Sequence, residues 1–291
     1  MRVQDFLRSE KDLGRTDLIV IIASALDVTP EAIYTHPEKE LDDTALERIA
    51  RHIDERKKGR PLSYITNTKE FFSQDFYVDE RVLIPRPETE LLVEEALHAM
   101  VAARPSLNQE SGHATVAKKE DVRILDMGTG SGAIGITLAR YGASSVACVD
   151  VSFDALLVAR WNAKRLAVED RISLVQSDLF GGLKKKARFD IIVANLPYIS
   201  ASDCERLMPD VKREPPRALL GGTRGTEVYE RFVADLPHHL EESGSVICEL
   251  GDAGQIESVG KSMRALGLRV RSKKDLAGQD RVLIGSWKNL S

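Results

Sequence analysis

The stretch "RILDMGTGSGAIGITLA", residues 123–139, contains the succession of elements that decides the fold of this chain. An apolar, β-rich run comes first, glycines at positions 128, 130 and 132 follow it, and a helical run comes last. Because glycine permits tight turns and lets a ligand approach the backbone closely, this order predicts a strand, a ligand-binding turn and a helix. Gly128, Gly130 and Ala133 also satisfy the loose dinucleotide pattern G-x-G-x-x-A, so the turn alone leaves open a nicotinamide cofactor, or no ligand at all.

Strand-like and helix-like runs alternate downstream of this stretch. The further strand-like runs are "SVACVDV", "ISLVQSD", "DIIVANL" and "SVICELG", with amphipathic helical runs between them, such as "TEVYERFVADLPHHLEE". This alternation predicts an α/β fold with a parallel sheet covered by helices on both faces. A last run, "DRVLIGSW" at 280–287, follows a turn and is expected to add an antiparallel edge strand.

The region before residue 62 has helical periodicity instead. In "DDTALERIARHIDERKKGRP" the apolar positions predicted to share one helix face are Leu46, Ile49, Ala50 and Ile53. Residues 62–90 contain β-branched and aromatic residues around "SQD", which predicts a connecting hairpin. The expected domains are therefore 1–61, a connection at 62–90, and 91–291, with an exposed loop at 104–121.

Composition excludes several classes of protein. The longest apolar run, "LIVIIA" at 18–23, is far shorter than the ~20 residues that span a membrane, and no secretory signal is evident, so a cytoplasmic protein is expected. Three widely spaced cysteines form no C-x-x-C pair, which gives no support for a disulfide framework or a metal site. A net charge of −4 argues against broad nucleic-acid binding.

Polar residues directly after the apolar runs are the candidate ligand-binding residues, because ligands bind at the carboxyl ends of parallel strands. Asp150 closes "SVACVD" and can accept hydrogen bonds from both hydroxyls of a ribose. Asp178 with Leu179 suits the amino group and ring face of an adenine, and the alternative for Asp178 is a helix N-cap. The tetrapeptide "NLPY", which begins at Asn195, places an amide that donates and accepts beside a turn stiffened by Pro197.

Several of these stretches resemble known methyltransferases. The tetrapeptide is similar to the Asn-Pro-Pro-Tyr or Asn-Leu-Pro-Tyr that follows the fourth strand of class I S-adenosylmethionine-dependent methyltransferases. More specific stretches resemble the peptide-chain release factor glutamine methyltransferases of the PrmC/HemK type over almost the whole chain: "GRPLSYI" (59–65), "IPRPETE" (84–90), "EPPRALLGGTRGTEVYERF" (214–232) and "KDLAGQDR" (274–281).

This resemblance implies a fold and an activity. The fold is a Rossmann-like class I methyltransferase with a seven-stranded, mostly parallel sheet, preceded by a small all-helical N-terminal domain that docks the substrate. The activity is transfer of a methyl group from S-adenosyl-L-methionine to the side-chain amide nitrogen (N5) of the glutamine in the Gly-Gly-Gln loop of release factors. A monomer without a stable nucleic-acid partner is expected.

Carried over by position, the resemblance also implies site residues. Asn195, Leu196, Pro197 and Tyr198 are the expected catalytic and substrate-binding residues, with Arg86 as a further substrate contact. Phe72 and Glu88 belong to the segment that borders the pocket in the family. The expected cofactor-binding residues are Gly128, Thr129, Gly130, Ser131, Gly132, Asp150, Asp178, Leu179, Asn195, Pro87 and Thr89.

The chain departs from the family at two of these positions. Many members have Trp where this chain has Leu179, and Pro is usual where it has Leu196. The sequence "NLPY" is also similar to the corresponding tetrapeptide of adenine-N6 methyltransferases. A methyltransferase acting on adenine in RNA or DNA, and a non-catalytic cofactor-binding relative, therefore remain as alternatives.

Overall fold

The computed structural model describes residues 1–103 and 122–287, so the loop expected at 104–121 lies outside the described residues. The chain forms two compact units. The first consists of Met1–Thr68 with Met208–Arg213, and the second of Lys69–Leu207 with Glu214–Ser291.

The first unit is helical. Its longest helix is N-capped by Asp42, whose carboxylate accepts a hydrogen bond from the backbone N–H of Ala45 at 2.7 Å. The buried face of this helix runs through Ala45, Ile49 and Ile53, while Ala50 is exposed, so the prediction that Ala50 belongs to this face was wrong. The five helices are α1 (Val3–Ser9), α2 (Arg15–Leu26), α3 (Pro30–Thr35), α4 (Asp43–Lys57) and α5 (Leu62–Thr66).

A hairpin of β1 (Thr68–Phe71) and β2 (Gln74–Tyr77) follows α5. Phe72 and Ser73 both have positive φ values, 52° and 57°, which is the backbone of a tight two-residue hairpin turn. The turn is held by side chains, because the Glu90 carboxylate accepts from the Phe72 N–H at 2.8 Å. The reversal is therefore at Phe72 and Ser73, at the start of the "SQD" stretch expected to turn.

The second unit is built on a seven-stranded sheet in the order β10-β11-β9-β6-β3-β4-β5. All neighbouring pairs are parallel except the two that involve β11. Helices α6 and α7 pack on one face and α11 and α12 on the other. The seven strands are β3 (Arg123–Met127), β4 (Ser145–Asp150), β5 (Ile172–Gln176), β6 (Phe189–Ala194), β9 (Leu240–Glu249), β10 (Arg269–Lys274) and β11 (Asp280–Ser286). The longer helices are α6 (Thr89–Ala102), α7 (Ala133–Arg140), α8 (Phe153–Arg165), α11 (Glu227–His239) and α12 (Ala253–Ala265).

Short elements occupy the segment between β6 and α11. They are β7 (Ile199–Ser200), α9 (Ala201–Cys204), α10 (Pro216–Leu219) and β8 (Leu220–Gly222). The parallel pair of β7 and β8 forms a separate small sheet directly after the tetrapeptide. The predicted fold class, an α/β sheet of seven mostly parallel strands with an N-terminal helical region, is confirmed.

Two details of the sheet differ from the prediction. Strand β11 is antiparallel as expected, but it lies between β9 and β10 and is not the edge. The edge strand β10, "RVRSKK", was missed because it is mostly charged and exposed, as is common where an edge must avoid pairing with other chains. Residues Leu240–Glu249 form β9, so the helix before it ends at His239 and does not include the following "LEE".

No helix among the described residues is long and apolar enough to cross a membrane. Within 1–103 and 122–287, no cluster of three or more histidine, cysteine or carboxylate side chains is arranged to hold a metal ion.

Candidate active site

A cavity lies at the carboxyl ends of β3, β4, β5 and β6, where the strand order reverses around β3. This is the position at which open α/β sheets bind ligands. The cavity encloses about 1180 Å³ of empty space, including the part open to solvent. Of the predicted site residues, it is lined by Arg86, Thr89, Gly128, Thr129, Gly130, Ser131, Asp150, Asp178, Leu179, Asn195, Leu196 and Pro197.

The glycine turn is anchored from below by Asp126, which is completely buried on β3. One carboxylate oxygen of Asp126 accepts from the Thr129 hydroxyl at 2.6 Å and from the Gly135 N–H at 2.9 Å. Burial raises the pKa of Asp126 to about 6. Gly128 has a φ of 77°, which side-chain-bearing residues rarely adopt, and a Cβ there would lie 3.0 Å from the end of the Leu196 side chain, so another residue would be strained and would have to displace that leucine.

Asp150 is held by backbone donors at the end of β4. Its two oxygens accept from the N–H groups of Gly130 at 2.9 Å and Ser152 at 2.8 Å. A carboxylate has about four acceptor positions, so both oxygens can still accept a ligand hydroxyl. Burial raises the pKa of Asp150 above its ordinary value, while these backbone hydrogen bonds favour the charged form.

Asp178 and Leu179 follow β5 and differ in exposure. Asp178 is exposed and forms an ion pair with Arg231 at 2.6 Å. It precedes a short 3₁₀ helix, Leu179–Gly182, but its side chain makes no capping hydrogen bond. Leu179 is buried at a φ of 48°, a left-handed conformation held by the Ser177 hydroxyl, which donates to the Leu179 carbonyl at 2.8 Å.

The first two residues of the tetrapeptide are fixed by hydrogen bonds to two helices, α6 and α11. The side-chain amide of Asn195 donates through Nδ2 to Thr89 Oγ1 at 3.2 Å. The Leu196 N–H donates to the Tyr229 hydroxyl at 3.1 Å, and that hydroxyl in turn donates to the Glu249 carbonyl at 2.5 Å. Proline at position 196 would lack this N–H, so the leucine has a structural partner that the usual residue could not have.

Glu249 lies beneath the tetrapeptide at the end of β9 and is 1% exposed. One of its carboxylate oxygens accepts from the Tyr198 hydroxyl at 3.2 Å. Its other oxygen, Oε2, is buried without a hydrogen-bond partner among the described residues. Burial raises the pKa of Glu249, and burial likewise raises the pKa of Tyr198.

The glycine turn is also tied to the hairpin by Asn162 of α8, which is completely buried. Its Oδ1 accepts from the Tyr77 N–H at 2.8 Å, and its Nδ2 donates to the carbonyls of Tyr77 at 3.0 Å and Ser131 at 2.9 Å. All the polar atoms of this amide have good partners, so Asn162 fixes the hairpin and the turn together.

Five predicted residues lie outside the cavity lining. The ring of Phe72 packs against Tyr141, with ring centroids 5.2 Å apart, and the Tyr198 hydroxyl turns to Glu249. Gly132 is the N-cap of α7, where an added Cβ would meet Ile136 at 2.5 Å. Pro87 and Glu88 lie directly before α6 and are likewise absent from the lining.

Arg86 lines the cavity, but its charge is already paired. Its guanidinium forms an ion pair with Glu214, which is buried and also accepts from the Ile84 N–H at 3.0 Å. Arg86 and Glu214 therefore fix the "IPRPETE" segment at the cavity wall, whichever ligand enters.

The sequence analysis missed residues that support the site. Glu249 could have been found, because it closes "SVICEL" at the carboxyl end of a strand, as Asp150 closes "SVACVD". Tyr229 and Asn162 are helix residues whose role depends on distant backbone groups, and nothing in their local sequence signals it.

Two family models match the chain. One, described as the PrmC N-terminal domain, matches residues 2–66. The other, described as ribosomal protein L11 methyltransferase (PrmA), matches residues 110–217. The first match covers most of the helical unit, and the second contains both the glycine turn and the tetrapeptide.

Two curated relatives match over nearly their full length. The release factor glutamine methyltransferase of Rhodopirellula baltica is 35% identical over 285 residues, which cover 96% of this chain and 92% of the relative. The enzyme of the same name from Aquifex aeolicus is 32% identical over 286 residues, covering 98% of this chain and 95% of the relative.

Solved structures share the fold. The ribosomal protein L11 methylase of Lactobacillus delbrueckii subsp. bulgaricus superposes with a TM-score of 0.50 and 20% identity, over 76% of this chain and 90% of that one. At this level of identity the likeness shows the fold alone.

Proposed function

Because this chain belongs to the release factor glutamine methyltransferase family, we propose that it methylates the side-chain amide nitrogen (N5) of the glutamine in the Gly-Gly-Gln loop of peptide-chain release factors. The observation that carries the proposal is the 35% identity to the Rhodopirellula baltica enzyme over 96% of this chain. The protein is a methyltransferase, and S-adenosylmethionine is its methyl donor.

The residues around the cavity fit this cofactor. Because Gly128 has no side chain, the cofactor can lie directly against the backbone of the glycine turn. A Cβ at this position would already crowd Leu196. Asp150 offers acceptors for the two ribose hydroxyls, and the backbone bonds to Gly130 and Ser152 keep its carboxylate oriented before any ligand binds. Asp178 and Leu179 are available for the adenine amino group and one ring face.

In this reaction the main task of the protein is to orient the substrate glutamine towards the methyl group. A bound S-adenosylmethionine supplies an electrophilic methyl group on a positively charged sulfur. A glutamine amide nitrogen is a weak nucleophile because its lone pair is delocalised into the carbonyl, so its placement decides the rate. The Asn195 side-chain oxygen and the Leu196 carbonyl each accept one N–H of the substrate amide, which fixes the plane of that amide.

The same two acceptors act on charge as well as on position. As positive charge develops on the substrate nitrogen, acceptors already aimed at its hydrogens stabilise that charge without having to reorient. Pro197 keeps the turn rigid, and Tyr198, held by Glu249, limits its movement. The methylated nitrogen is acidic enough to lose its proton to water, so no side-chain base is required beside the tetrapeptide.

The proposal extends to the two units and to the surroundings of the protein. Residues 1–61 form the substrate-docking domain, 62–90 the connection to it, and 91–291 the S-adenosylmethionine-dependent methyltransferase domain. The protein works as a cytoplasmic monomer whose partner is a release factor, with no stable nucleic-acid partner. Light scattering on the purified protein, alone and mixed with a release factor or ribosomal RNA, tests the monomer and the choice of partner.

The decisive experiment is incubation with S-adenosylmethionine labelled in its methyl group. The substrates are a release factor, the same factor with Glu in place of the Gly-Gly-Gln glutamine, and ribosomal RNA. Label is expected only in the unmodified release factor, on the peptide that carries the glutamine. Label in RNA alone would favour the adenine-methylating alternative, and cofactor binding without transfer to any substrate would favour the non-catalytic one.

A further inference from the structure

The hydroxyl of Tyr229 lies between two strands of the sheet, directly behind the tetrapeptide. Tyr229 is completely buried on α11, and its ring packs in the core against Phe232, with ring centroids 6.2 Å apart. The hydroxyl accepts from the Leu196 N–H at 3.1 Å. The carbonyls of Glu249 and Ala194 lie 2.5 Å and 3.1 Å from it. A hydroxyl has one hydrogen to give, and the shorter contact identifies Glu249 as its acceptor.

This hydroxyl stands at the point where the pairing of β6 with β9 stops. The parallel register ends at Ala194 with Cys248. In a parallel ladder the bonds are slanted, so each bonded N–H donates to the residue just before its register partner. One further step would therefore pair the Leu196 N–H with the Glu249 carbonyl. The Tyr229 hydroxyl is inserted between these two groups, and it takes the place of the next ladder bond.

We infer that Tyr229 is a positioning residue for methyl transfer, because its hydroxyl fixes the peptide group between Asn195 and Leu196. The inference rests on the proposed function, in which the Asn195 side chain and the Leu196 carbonyl accept the two N–H groups of the substrate amide. This peptide group connects the two α-carbons that carry those acceptors. Its rotation would move one acceptor relative to the other, and the substrate amide could no longer reach both.

The same peptide group is confined at its other end. The Asn195 carbonyl faces the glycine turn, since a Cβ built on Gly128 would lie 3.4 Å from that oxygen. The N–H of the peptide points to Tyr229 on α11. The orientation of the peptide is therefore set from both sides, by the turn after β3 and by one side-chain hydroxyl.

The leucine at position 196 makes this hydrogen bond necessary. Proline, the usual residue in the family that the chain resembles, restricts its own φ through its ring and has no N–H to donate. Leu196 lacks that restriction, and it is buried, so its N–H needs a partner within the protein. The Tyr229 hydroxyl supplies the partner, and with it the restraint on φ that the proline ring would give.

The first test is Tyr229→Phe, which removes the hydroxyl and keeps the ring that packs in the core. We expect kcat to fall about tenfold, the effect of one lost hydrogen bond on the barrier. Cofactor affinity and the KM for the release factor should stay within about twofold, because the hydroxyl acts only on the tetrapeptide. The matched control is Thr137→Val, which removes another buried hydroxyl, one that donates to the Ala133 carbonyl on α7, and should leave kcat unchanged.

The second test repeats Tyr229→Phe in a chain that carries Leu196→Pro. The proline has no N–H for the hydroxyl to hold, and its ring restricts φ without help. Tyr229→Phe should therefore lower kcat less than twofold in this background. A merely structural role of the hydroxyl in the core would cost the same in both backgrounds, so the difference between them identifies positioning.

A third test needs no turnover and so separates this inference from the proposed function. Hydrogen exchange of the Leu196 N–H, followed by NMR, should be about tenfold faster in Tyr229→Phe than in the unmodified protein. The Leu250 N–H donates to the Arg281 carbonyl at 2.9 Å, next to Glu249, and its exchange should stay within twofold. An enzyme that gives these exchange rates but never methylates a release factor would refute the proposed function alone.

Three outcomes would overturn the inference. They are a kcat of Tyr229→Phe within twofold of the unmodified value, an equal fall of kcat in the proline background, and a parallel rise in the exchange of both amides. If Tyr229→Phe does not fold, the unmodified protein carries the test. Its Leu196 N–H should then exchange about as slowly as the Leu250 N–H, and exchange at the rate of an unprotected amide would contradict the inference.

Discussion

Asp150 and Asn195 both follow parallel strands that end at the cavity, but different partners hold them. The Asp150 carboxylate is bonded to backbone N–H groups, those of Gly130 and Ser152. The Asn195 amide is bonded to a side chain 106 residues earlier, the hydroxyl of Thr89. Backbone donors survive almost any substitution of the residue that carries them, whereas a side-chain partner is lost by a single exchange.

We call the glycine turn with Asp126 and Asp150 the cofactor side, and the tetrapeptide with Thr89 and Glu249 the substrate side. Single exchanges on the substrate side should change turnover and leave cofactor affinity intact. Exchanges on the cofactor side should do the reverse. Of the four predictions that follow, those on Asn195 and Asp150 test this division directly, and those on Asp126 and Leu196 test the interactions that hold each side in place.

Asn195→Ala has the largest expected effect. It removes a substrate acceptor, so kcat should fall about 10²–10³-fold, as when one preorganised group of this kind is lost elsewhere. Cofactor affinity should stay within a few-fold, because Asp150 keeps both of its backbone donors. A radiometric assay measures kcat, and calorimetry measures cofactor affinity. An equal loss of both would show that Asn195 does not act on the substrate side alone.

Asp126→Asn tests the cofactor side through stability. The folded pKa of Asp126 is about 6, above the ordinary 3.8, so the folded protein holds this proton more tightly than the unfolded chain. The resulting stabilisation is complete below about pH 4 and is lost as the pH rises through 6, a change of about 3 kcal/mol.

The asparagine side chain of the Asp126→Asn variant does not titrate in this pH range. The free energy of unfolding of the unmodified protein, relative to Asp126→Asn, should therefore decrease between about pH 4 and pH 7, which urea unfolding at several pH values measures. Parallel stability curves for the two proteins would show that Asp126 does not hold its proton in this way.

Asp150→Ala should weaken cofactor binding by roughly 10²-fold, because two hydrogen bonds to a charged group are lost. At saturating cofactor, kcat should remain within a few-fold of the unmodified value. Asp190→Ala is the matched control: Asp190 is also a strand aspartate, but it pairs with Arg123 away from the cavity lining. A large fall in kcat at saturation would mean that Asp150 also acts on the substrate side.

Leu196→Pro has the smallest expected effect. It restores the residue usual in the family but removes the N–H that donates to Tyr229, at a cost of about 1 kcal/mol in unfolding free energy. Leu196→Val keeps the N–H and serves as the control. If the proline variant were as stable as the valine variant, the hydrogen bond to Tyr229 would contribute nothing.

The contacts that hold the cofactor side leave a clearer pattern in the sequence than those that hold the substrate side, for a physical reason. Gly128, Asp150 and the strands around them act through their own backbone or through short-range turns, which leave a local pattern. Asp178 was placed at the cavity as predicted, but the ion pair with Arg231 depends on a helix 53 residues later and left no such pattern.

The rest of the substrate side is assembled from stretches far apart in the chain. Thr89 begins a helix, Tyr229 lies within another, and Glu249 ends a strand. Only the folded sheet brings these three residues to the tetrapeptide, where they bond to Asn195, Leu196 and Tyr198 respectively. Strand β10 was missed for a different reason, because a charged edge strand has no apolar alternation to detect.

The buried amide of Asn162 has a consequence for synthesis of the chain. The hairpin strand β2 is held at Tyr77 by a residue that the ribosome adds 85 positions later. At the ~5–20 residues per second of synthesis, this partner follows after roughly 4–17 s. During that interval the hairpin is made but cannot be locked, so nascent chains should become resistant to protease around residue 77 only after α8 has left the ribosome.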